Sequence, residues 1–458
     1  MYRVPFDDRG QISVPLMIGR RQNLPPIETD DPVELSSRTI DDGSTHELMN
    51  RVIQRMTPIT DDIAMVESFS HVIAFRTDEG LLCFDSSGAH TGEQVVDALR
   101  TWSTDRVNTL VYTHGHVDHV GGSGAFAVDA DARTYAPPTV VAHAAVRDRF
   151  ERYDRTNDWN MSINARQFGG VRASLNMDIG HEVRFLGETT LWPDTEYVRD
   201  LDFSVGGLDA QLFHDKGETD DHTWAWIPEH KALCVGDFVT WVFPNCGNPQ
   251  KVQRYPVEWA AALRKMMAYD ADWLFGAHGL PIKGNERIQR VLGDLANALE
   301  SLVEQTLDMM NAGESLDAII HQVSIPEDEL WRPWMMPVYD EPEFVVRNIW
   351  RLYGGWWDLN PANLKPAPEA ALALEISALA GGTEPLVARA RAFSQVGDDR
   401  LACHLIELAA AADPESQPVH AARAQIYQTR RDRDLSLMSK GIYAAAANES
   451  QAVVDGGG

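Results

Sequence analysis

The sequence predicts an α/β body followed by an all-helical tail, and three observations carry that prediction. Strand-type and helix-type hydrophobic patterns alternate between about residues 46 and 285. A dense group of metal-type side chains leaves the end of one apolar, β-branched run in that stretch. Beyond Asn285 only helical spacing persists.

Residues 1–45 are rich in Pro, Asp, Arg and Ser and hold no sustained period, so an extended arm that wraps the body or a partner chain is expected. Residues 63–75 and 81–85 read as short strands around the turn at 77–80, and Asp85 closes the second of them. The spacing of Val95, Val96, Leu99 and Trp102 predicts a helix over 92–102, and 107–112 follows as a buried strand. Strand-type residues return over 203–239. A helix over 257–267 then leads into a strand at 273–275. In the tail, helices are expected at 287–312 and 343–353 and throughout the alanine-rich block after Gly381 and Gly382. Within that block Ala390-Arg391-Ala392-Phe393 is echoed by Ala422-Arg423-Ala424, about 32 residues on, which resembles a pair of tetratricopeptide-like helical hairpins. Two hairpins bury little core by themselves, so packing on another surface or a second subunit is expected.

At 458 residues the chain exceeds one compact core, and two or three domains are expected. The hydrophobic fraction of 44% and the charged fraction of 24% are those of a globular protein, and no apolar run approaches the roughly 20 residues that span a bilayer. The N-terminal residues do not read as a signal peptide, so a cytoplasmic location is the expectation. Cys83, Cys234, Cys246 and Cys403 are far apart and form no C-x-x-C pair, which argues against disulfides and against a cysteine metal site. A net charge of -28, from 68 acids against 40 bases, would repel phosphate backbones and anionic lipid. Nucleic acid and membrane are therefore not expected as partners; a small molecule is.

The run Thr113-His114-Gly115-His116-Val117-Asp118-His119-Val120-Gly121-Gly122 packs three histidines and an aspartate into six positions after the 107–112 strand. Imidazole nitrogens and carboxylate oxygens suit a borderline cation such as Zn²⁺, and a loop leaving a strand can aim several at one point.

This H-x-H-x-D-H sequence followed by two glycines resembles the metallo-β-lactamase superfamily, which implies a four-layer αββα sandwich and a two-metal hydrolase. The resemblance implies that His114 and His116 serve one metal while Asp118 and His119 serve a second. It also implies three later ligands. Glu218 lies in His214-Asp215-Lys216-Gly217-Glu218-Thr219-Asp220-Asp221-His222, similar to the superfamily's H-T-P-G-H-T-x-x-H stretch with glutamate at its metal-binding histidine. Asp237 follows a strand in Val235-Gly236-Asp237, and His278 sits in Gly276-Ala277-His278-Gly279. The implied sets are His114, His116, Glu218 and Asp237 for one metal, and Asp118, His119, Asp237 and His278 for the other. Asp118 and Asp237 carry the catalytic assignment. His214 and His222 are alternatives to Glu218 or supports for a ligand, and Asp85 is a supporting residue with no direct claim to metal. Two Zn²⁺ are the expected cofactors, with iron or manganese as alternatives, and a metal-bound hydroxide is the expected nucleophile.

The glutamate in the second motif and the tail narrow the resemblance to the alkyl sulfatase branch, of the dodecyl-sulfate hydrolase type. Asn348, Tyr353, Gly354-Gly355-Trp356-Trp357-Asp358 and Asn360-Pro361-Ala362 are similar to that branch's N-x-x-x-x-Y-x-G-W-x-D-x-N-P-A segment. The implied organisation is an arm at 1–45, a catalytic domain at 46–300, a helical connector at 301–365 and a helical dimerisation domain at 366–458. A homodimer follows, without the branch's C-terminal sterol-carrier-like domain.

This chain departs from the branch in its implied anion pocket. Asp237 stands where the branch has glutamate, and Asn245-Cys246-Gly247-Asn248 stands where it has histidine and asparagine. Arg254, five residues before Trp259, matches an arginine that holds sulfate; Arg166 is a lone arginine where the branch has two. Asn248, Arg254 and Arg166 are thus the expected substrate-binding residues. Trp159, Phe168, Trp241, Phe243 and Tyr255 could line an apolar pocket, with half or more expected in the core. Hydrolysis of an alkyl sulfate is the expected reaction. The alternatives are another ester (phosphoester, lactone or thioester), di-iron redox chemistry on the same fold, and a scaffold built on the tail.

Overall fold

The computed structural model describes residues 29–43, 45, 49–169 and 184–456. Two sheets lie face to face. The first has seven strands in sequential order: β1 (Arg55–Pro58), β2 (Ile63–Glu67), β3 (Val72–Thr77), β4 (Gly80–Phe84), β5 (Val107–Val111), β6 (Thr139–His143) and β7 (Thr195–Tyr197). The second has six: β8 (Asp200–Val205), β9 (Leu208–His214), β10 (Thr223–Ile227), β11 (Ala232–Gly236), β12 (Trp273–Gly276) and β13 (Ile282–Lys283).

Period-two alternation explains the layers. Ile73, Phe75, Leu82, Phe84 and Val111 from the first sheet meet Leu212, Ala225, Cys234 and Phe275 from the second in one buried cluster between them. The alternate residues Val72, Ala74, Leu81, Cys83 and Leu110 face outward against Val95, Leu99, Phe126 and Phe150. On the other side Leu233, Val235 and Leu274 pack under Trp259, Leu263, Leu292 and Leu295. Strands in the middle of this stack are buried on both faces, which is why 81–84 and 110–112 read as continuous apolar runs. The result is the αββα sandwich expected from the motif.

Two expectations need correction. The stretch 1–45 is not wholly extended: Pro32–Asp42 is a helix, capped by the Asp31 carboxylate on the Val33 amide at 2.8 Å with Pro at its first position. It is held to the body by Ser36 Oγ donating to the Pro281 carbonyl at 2.6 Å and by an Arg287–Asp41 ion pair at 2.6 Å. Residues 1–28 of the expected arm lie outside the described residues. A boundary at residue 300 would also cut the continuous helix Asn285–Asn311, whose Leu292, Leu295, Leu299 and Leu302 belong to the core under the second sheet.

The tail folds as Thr383–Val396 against Asp399–Ala412 and Gln417–Arg433 against Leu437–Val454, with Glu369–Ala380 ahead of them. Leu386, Ala390, Ala402, Ile406, Ala422 and Ile426 form its own small core. The last helix also reaches the sandwich, where Asn448 Nδ2 donates to the Gly169 carbonyl at 2.8 Å and Gly441 lies against the Gln167 carbonyl.

Candidate metal centre

Strand ends of both sheets converge on one point. His114, His116, Asp118 and His119 leave β5, Asp85 leaves β4, Asp237 leaves β11 and His278 leaves β12. The stretch from His114 is pinned at two places. Thr113 donates its amide and hydroxyl to the Asp85 carboxylate, each at 2.8 Å, and the Gly115 amide donates to Asp221 Oδ2 at 3.1 Å. Asp221 is itself fixed by Arg149 Nε at 2.6 Å, a buried pair in which burial would raise the carboxyl but Arg149 takes it down to about 2. Gly236 must take φ +52 to turn β11 into the site, and a Cβ there would meet His222 Nε2 and the Thr113 side chain.

The seven residues form two adjoining groups, His114–His116–Glu218–Asp237 and Asp118–His119–His278. In the first, His114 Nε2 and His116 Nδ1 stand 2.9 Å apart, His116 Nδ1 is 3.7 Å from Glu218 Oε1, and His114 Nε2 is 3.9 Å from Asp237 Oδ2. In the second, His119 Nε2 and His278 Nε2 each lie 3.4 Å from Asp118 Oδ2. Asp237 faces both: Oδ2 is 3.5 Å from His119 Nε2 and Oδ1 is 3.6 Å from His278 Nε2.

The far nitrogens of two rings have partners that aim the near ones. His119 Nδ1 donates to Asp85 Oδ2 at 2.8 Å, and His278 Nδ1 donates to the Phe69 carbonyl at 2.6 Å. Asn50 steadies that second contact, its Oδ1 accepting the Gly279 amide at 3.0 Å and its Nδ2 donating to the Phe69 carbonyl at 3.2 Å.

A divalent cation fits this donor set. His119 Nε2, Glu218 Oε2 and Asp237 Oδ1 are buried and have no hydrogen-bond partner among the described residues. Electrostatics agree. Burial holds His114 and His116 well below the usual imidazole range, so both keep free lone pairs. Burial would also lower His119 and raise Asp118 and Asp237, yet their mutual attraction wins, leaving His119 well above its ordinary value and both aspartates below theirs. Burial pushes Glu218 up to about 8, with Arg254 opposing and Asp237 adding to the rise. Two buried carboxylates, Glu218 and Asp237, and the half-buried Asp118 in this space call for cations.

The remaining expected residues lie around this centre in other roles. His222 is not in either group; its Nε2 accepts the Asp237 amide at 3.2 Å, its ring stacks on Phe238, and burial lowers it to about 3. His214 stacks on His143 with centroids 3.6 Å apart and bonds the His222 carbonyl. Arg254 is buried and spends Nη1 on Glu218 Oε1 at 2.5 Å and on the Asn245 carbonyl; Asn245 Nδ2 donates to the same Glu218 oxygen at 2.6 Å. Asn348 of the tail motif holds the Arg254 backbone, donating to its carbonyl at 2.9 Å. Asn248 bonds Gln167, and Arg166 reaches Gln250 Oε1 at 3.4 Å. Trp241 and Phe243 sit in the core under the second sheet, while Trp159 is exposed and Phe168 and Tyr255 are half-buried.

Sequence reasoning missed Asp221, Arg149, Asn50, Lys251, Gln167 and Tyr339. Asp221 had a signal, since it lies in the same short stretch as Glu218. Lys251 donates to Asn164 Oδ1 at 3.0 Å and is lowered to about 8 by burial and Arg254, against the pull of Asp118 and Glu218. Nothing local in the sequence marks Gln167 or Tyr339, which are brought in from a helix end and from the connector.

Comparison with known proteins agrees with this geometry. Residues 66–278 match the metallo-beta-lactamase superfamily, and residues 315–452 match the alkyl sulfatase dimerisation family. A linear primary-alkylsulfatase from a Pseudomonas species is 26% identical over 391 residues, covering 82% of this chain and 73% of that one. Alkyl/aryl-sulfatase BDS1 of Saccharomyces cerevisiae is 24% identical over 413 residues, covering 85% of this chain and 62% of its own. A solved structure of the stereoselective inverting sec-alkylsulfatase Pisa1 from Pseudomonas sp. superposes with a TM-score of 0.77 at 20% identity, over 87% of this chain and 65% of that one. This chain therefore spans only part of each relative. With both domains matched in order and the ligand-type residues gathered at the strand ends, the chain carries a metallo-β-lactamase superfamily domain followed by an alkyl sulfatase dimerisation domain.

Proposed function

We propose that the chain is a dinuclear metal-dependent hydrolase that cleaves sulfuric esters of alkyl alcohols, with zinc as the metal and a homodimer as the working form. The observation that carries it is the pair of adjoining groups that share Asp237, with buried lone pairs in both that have no partner among the described residues. Two cations held there would bring a water's pKa toward neutrality and stabilise the anion that develops on the ester.

The chain's own residues define the rest of the chemistry. His114, His116, Glu218 and Asp237 would hold one cation, and Asp118, His119, His278 and Asp237 the other. Asp85, Phe69 and Asn50 fix the imidazole tautomers, Arg254 and Asn245 fix Glu218, and Asp221 fixes the motif loop from below. The ester's anionic end would meet the polar wall of Asn248, Lys251 and Arg166. The alkylsulfatase relatives support the substrate class. The dimer is supported by the alkyl sulfatase dimerisation match and by Leu372, Leu374 and Leu379, all more than half exposed on Glu369–Ala380.

Sulfate release from a medium-chain alkyl sulfate by metal-loaded protein, abolished by chelator, is the expected result. No release across a series of chain lengths would overturn the substrate. A second reading, the same centre acting on a phosphoester, lactone or thioester, is favoured by Arg254 being engaged with Glu218. A panel of chromogenic esters separates the two.

A further inference from the structure

Glu218 differs from the other ligand candidates in what aims it. It stands in the loop between β9 and β10, and its Oε1 accepts from Asn245 Nδ2 at 2.6 Å and from Arg254 Nη1 at 2.5 Å. Arg254 Nη1 also donates to the Asn245 carbonyl, so these two residues hold each other as well as the carboxylate.

The stretch that carries them is seated on the connector. The Phe243 amide donates to the Met336 carbonyl at 3.0 Å, and the Gly247 amide donates to Asp340 Oδ2 at 2.6 Å. Gly247 lies so close to the helix Pro342–Gly354 that a Cβ there would stand 2.2 Å from the Phe344 carbonyl carbon and from the Val345 nitrogen. From the same helix Asn348 donates to the Arg254 carbonyl at 2.9 Å and accepts from Gln253 Nε2 at 2.7 Å. Asp340 is wholly buried, and its second oxygen accepts the Glu341 amide at 2.7 Å. One carboxylate thus ties Gly247 to the start of that helix.

The tail clasps the same few connector residues. Ser436 Oγ donates to the Tyr339 carbonyl at 2.6 Å, the Leu437 amide to the Val338 carbonyl at 2.8 Å, and Ser439 Oγ to Glu341 Oε1 at 3.2 Å. Arg400 pairs with Glu343 at 2.5 Å. A continuous series of contacts therefore runs from the last helix through 338–341 and Gly247 to Asn245, Arg254 and Glu218.

We infer that docking of the helical tail and cation binding at the His114–His116–Glu218–Asp237 group are coupled, with Asp340 as the positioning residue between them; the inference rests on the two-cation reading above. A ligand aimed by outer partners loses affinity when those partners shift by a fraction of an ångström. The coupling is reciprocal: whatever the docked tail adds to the cation's affinity, the bound cation adds to docking. Asp118, His119 and His278 draw their supports from Asp85, Phe69 and Asn50, outside this path, so the effect falls on one ion of the two.

The test is Zn²⁺ titration of the metal-free full chain against a chelating indicator, for wild type, Asp340→Asn and Ser436→Ala, beside amide hydrogen exchange of metal-free and zinc-loaded wild type. Asparagine keeps the shape of Asp340 but can accept only one of its two amides. Asp340→Asn is expected to bind one ion at least about tenfold more weakly and the other within about twofold of wild type. Ser436→Ala, altered in the tail alone, should weaken the same ion about threefold, and it is the readout should Asp340→Asn not fold. Zinc should slow exchange over 437–454 in wild type. Wild-type protein that binds fewer than two zinc ions per chain would refute the two-cation reading and this coupling with it. Two ions bound by wild type, with both variants within about twofold at each ion, with both ions weakened alike, or with exchange over 437–454 unmoved by zinc, would refute the coupling alone.

Discussion

Arg254 Nη1 lies 2.5 Å from Glu218 Oε1, and both side chains are almost wholly removed from water. The arginine expected to hold sulfate therefore clamps a metal-ligand candidate. A guanidinium in this place opposes the rise that burial and Asp237 impose on Glu218, whose carboxyl still stands at about 8.

Arg254→Met is accordingly predicted to lower stability by about 3–5 kcal/mol, because it leaves Glu218 buried and unpaired. Metal content should fall with it. A direct sulfate contact alone would instead raise KM with melting temperature and metal content unchanged, so calorimetry beside metal analysis decides between the two roles.

Asp237→Ala should remove metal and activity together, with activity down by more than about a hundredfold, since Asp237 faces both ligand groups. Metal per chain, measured by elemental analysis, checks it. Activity surviving the change would sink the two-metal mechanism.

Gly441→Ala should undock the last helix, because a Cβ there would collide with the Gln167 carbonyl and the Phe168 amide. A cost of about 1–3 kcal/mol is expected. Hydrogen exchange should rise in 437–454 and in 157–167 together; exchange confined to one of them would contradict the contact.

Glu341 gives a pH dependence. Burial first, then Asp434, Glu343 and Asp340, raise it to about 7, while Ser439 donates to it at 3.2 Å and opposes the rise. The folded chain thus holds this proton more tightly than the unfolded one, so its stability contribution is complete below about pH 4.5 and is lost as pH rises through 7. Thermal unfolding from pH 5 to 8 should show stability falling, and Glu341→Gln should flatten part of that fall. An unchanged slope would exclude Glu341 as its source.

Much of the fold was legible because strands buried on both faces and amphipathic helices leave plain hydrophobic patterns, as at 81–84, 92–100 and 107–111. The candidates at His114–His119, Asp237 and His278 stand just past apolar strands, where a chain must turn and polar side chains collect, whereas Glu218 was reached through the resemblance of its stretch to a superfamily motif. The helix Pro32–Asp42 was missed although Asp31, Pro32 and Glu34 are its start signals, because its apolar stripe, Leu35 and Ile40, is short.

By itself, then, the sequence determined the alternating α/β body, the helical tail and the cluster of ligand-type side chains at His114–His119, since these depend on residue type and local period, while the αββα class and the candidates Glu218, Asp237 and His278 came from the resemblance of the motifs. Tertiary structure alone decided what each polar neighbour does. Arg254 turned to Glu218, Asp221 to the Gly115 amide, and Gln167 to Tyr339 of the connector, because these pairings depend on which buried donors and acceptors lie within about 3 Å of each other after folding. Sequence separation carries no information about that distance.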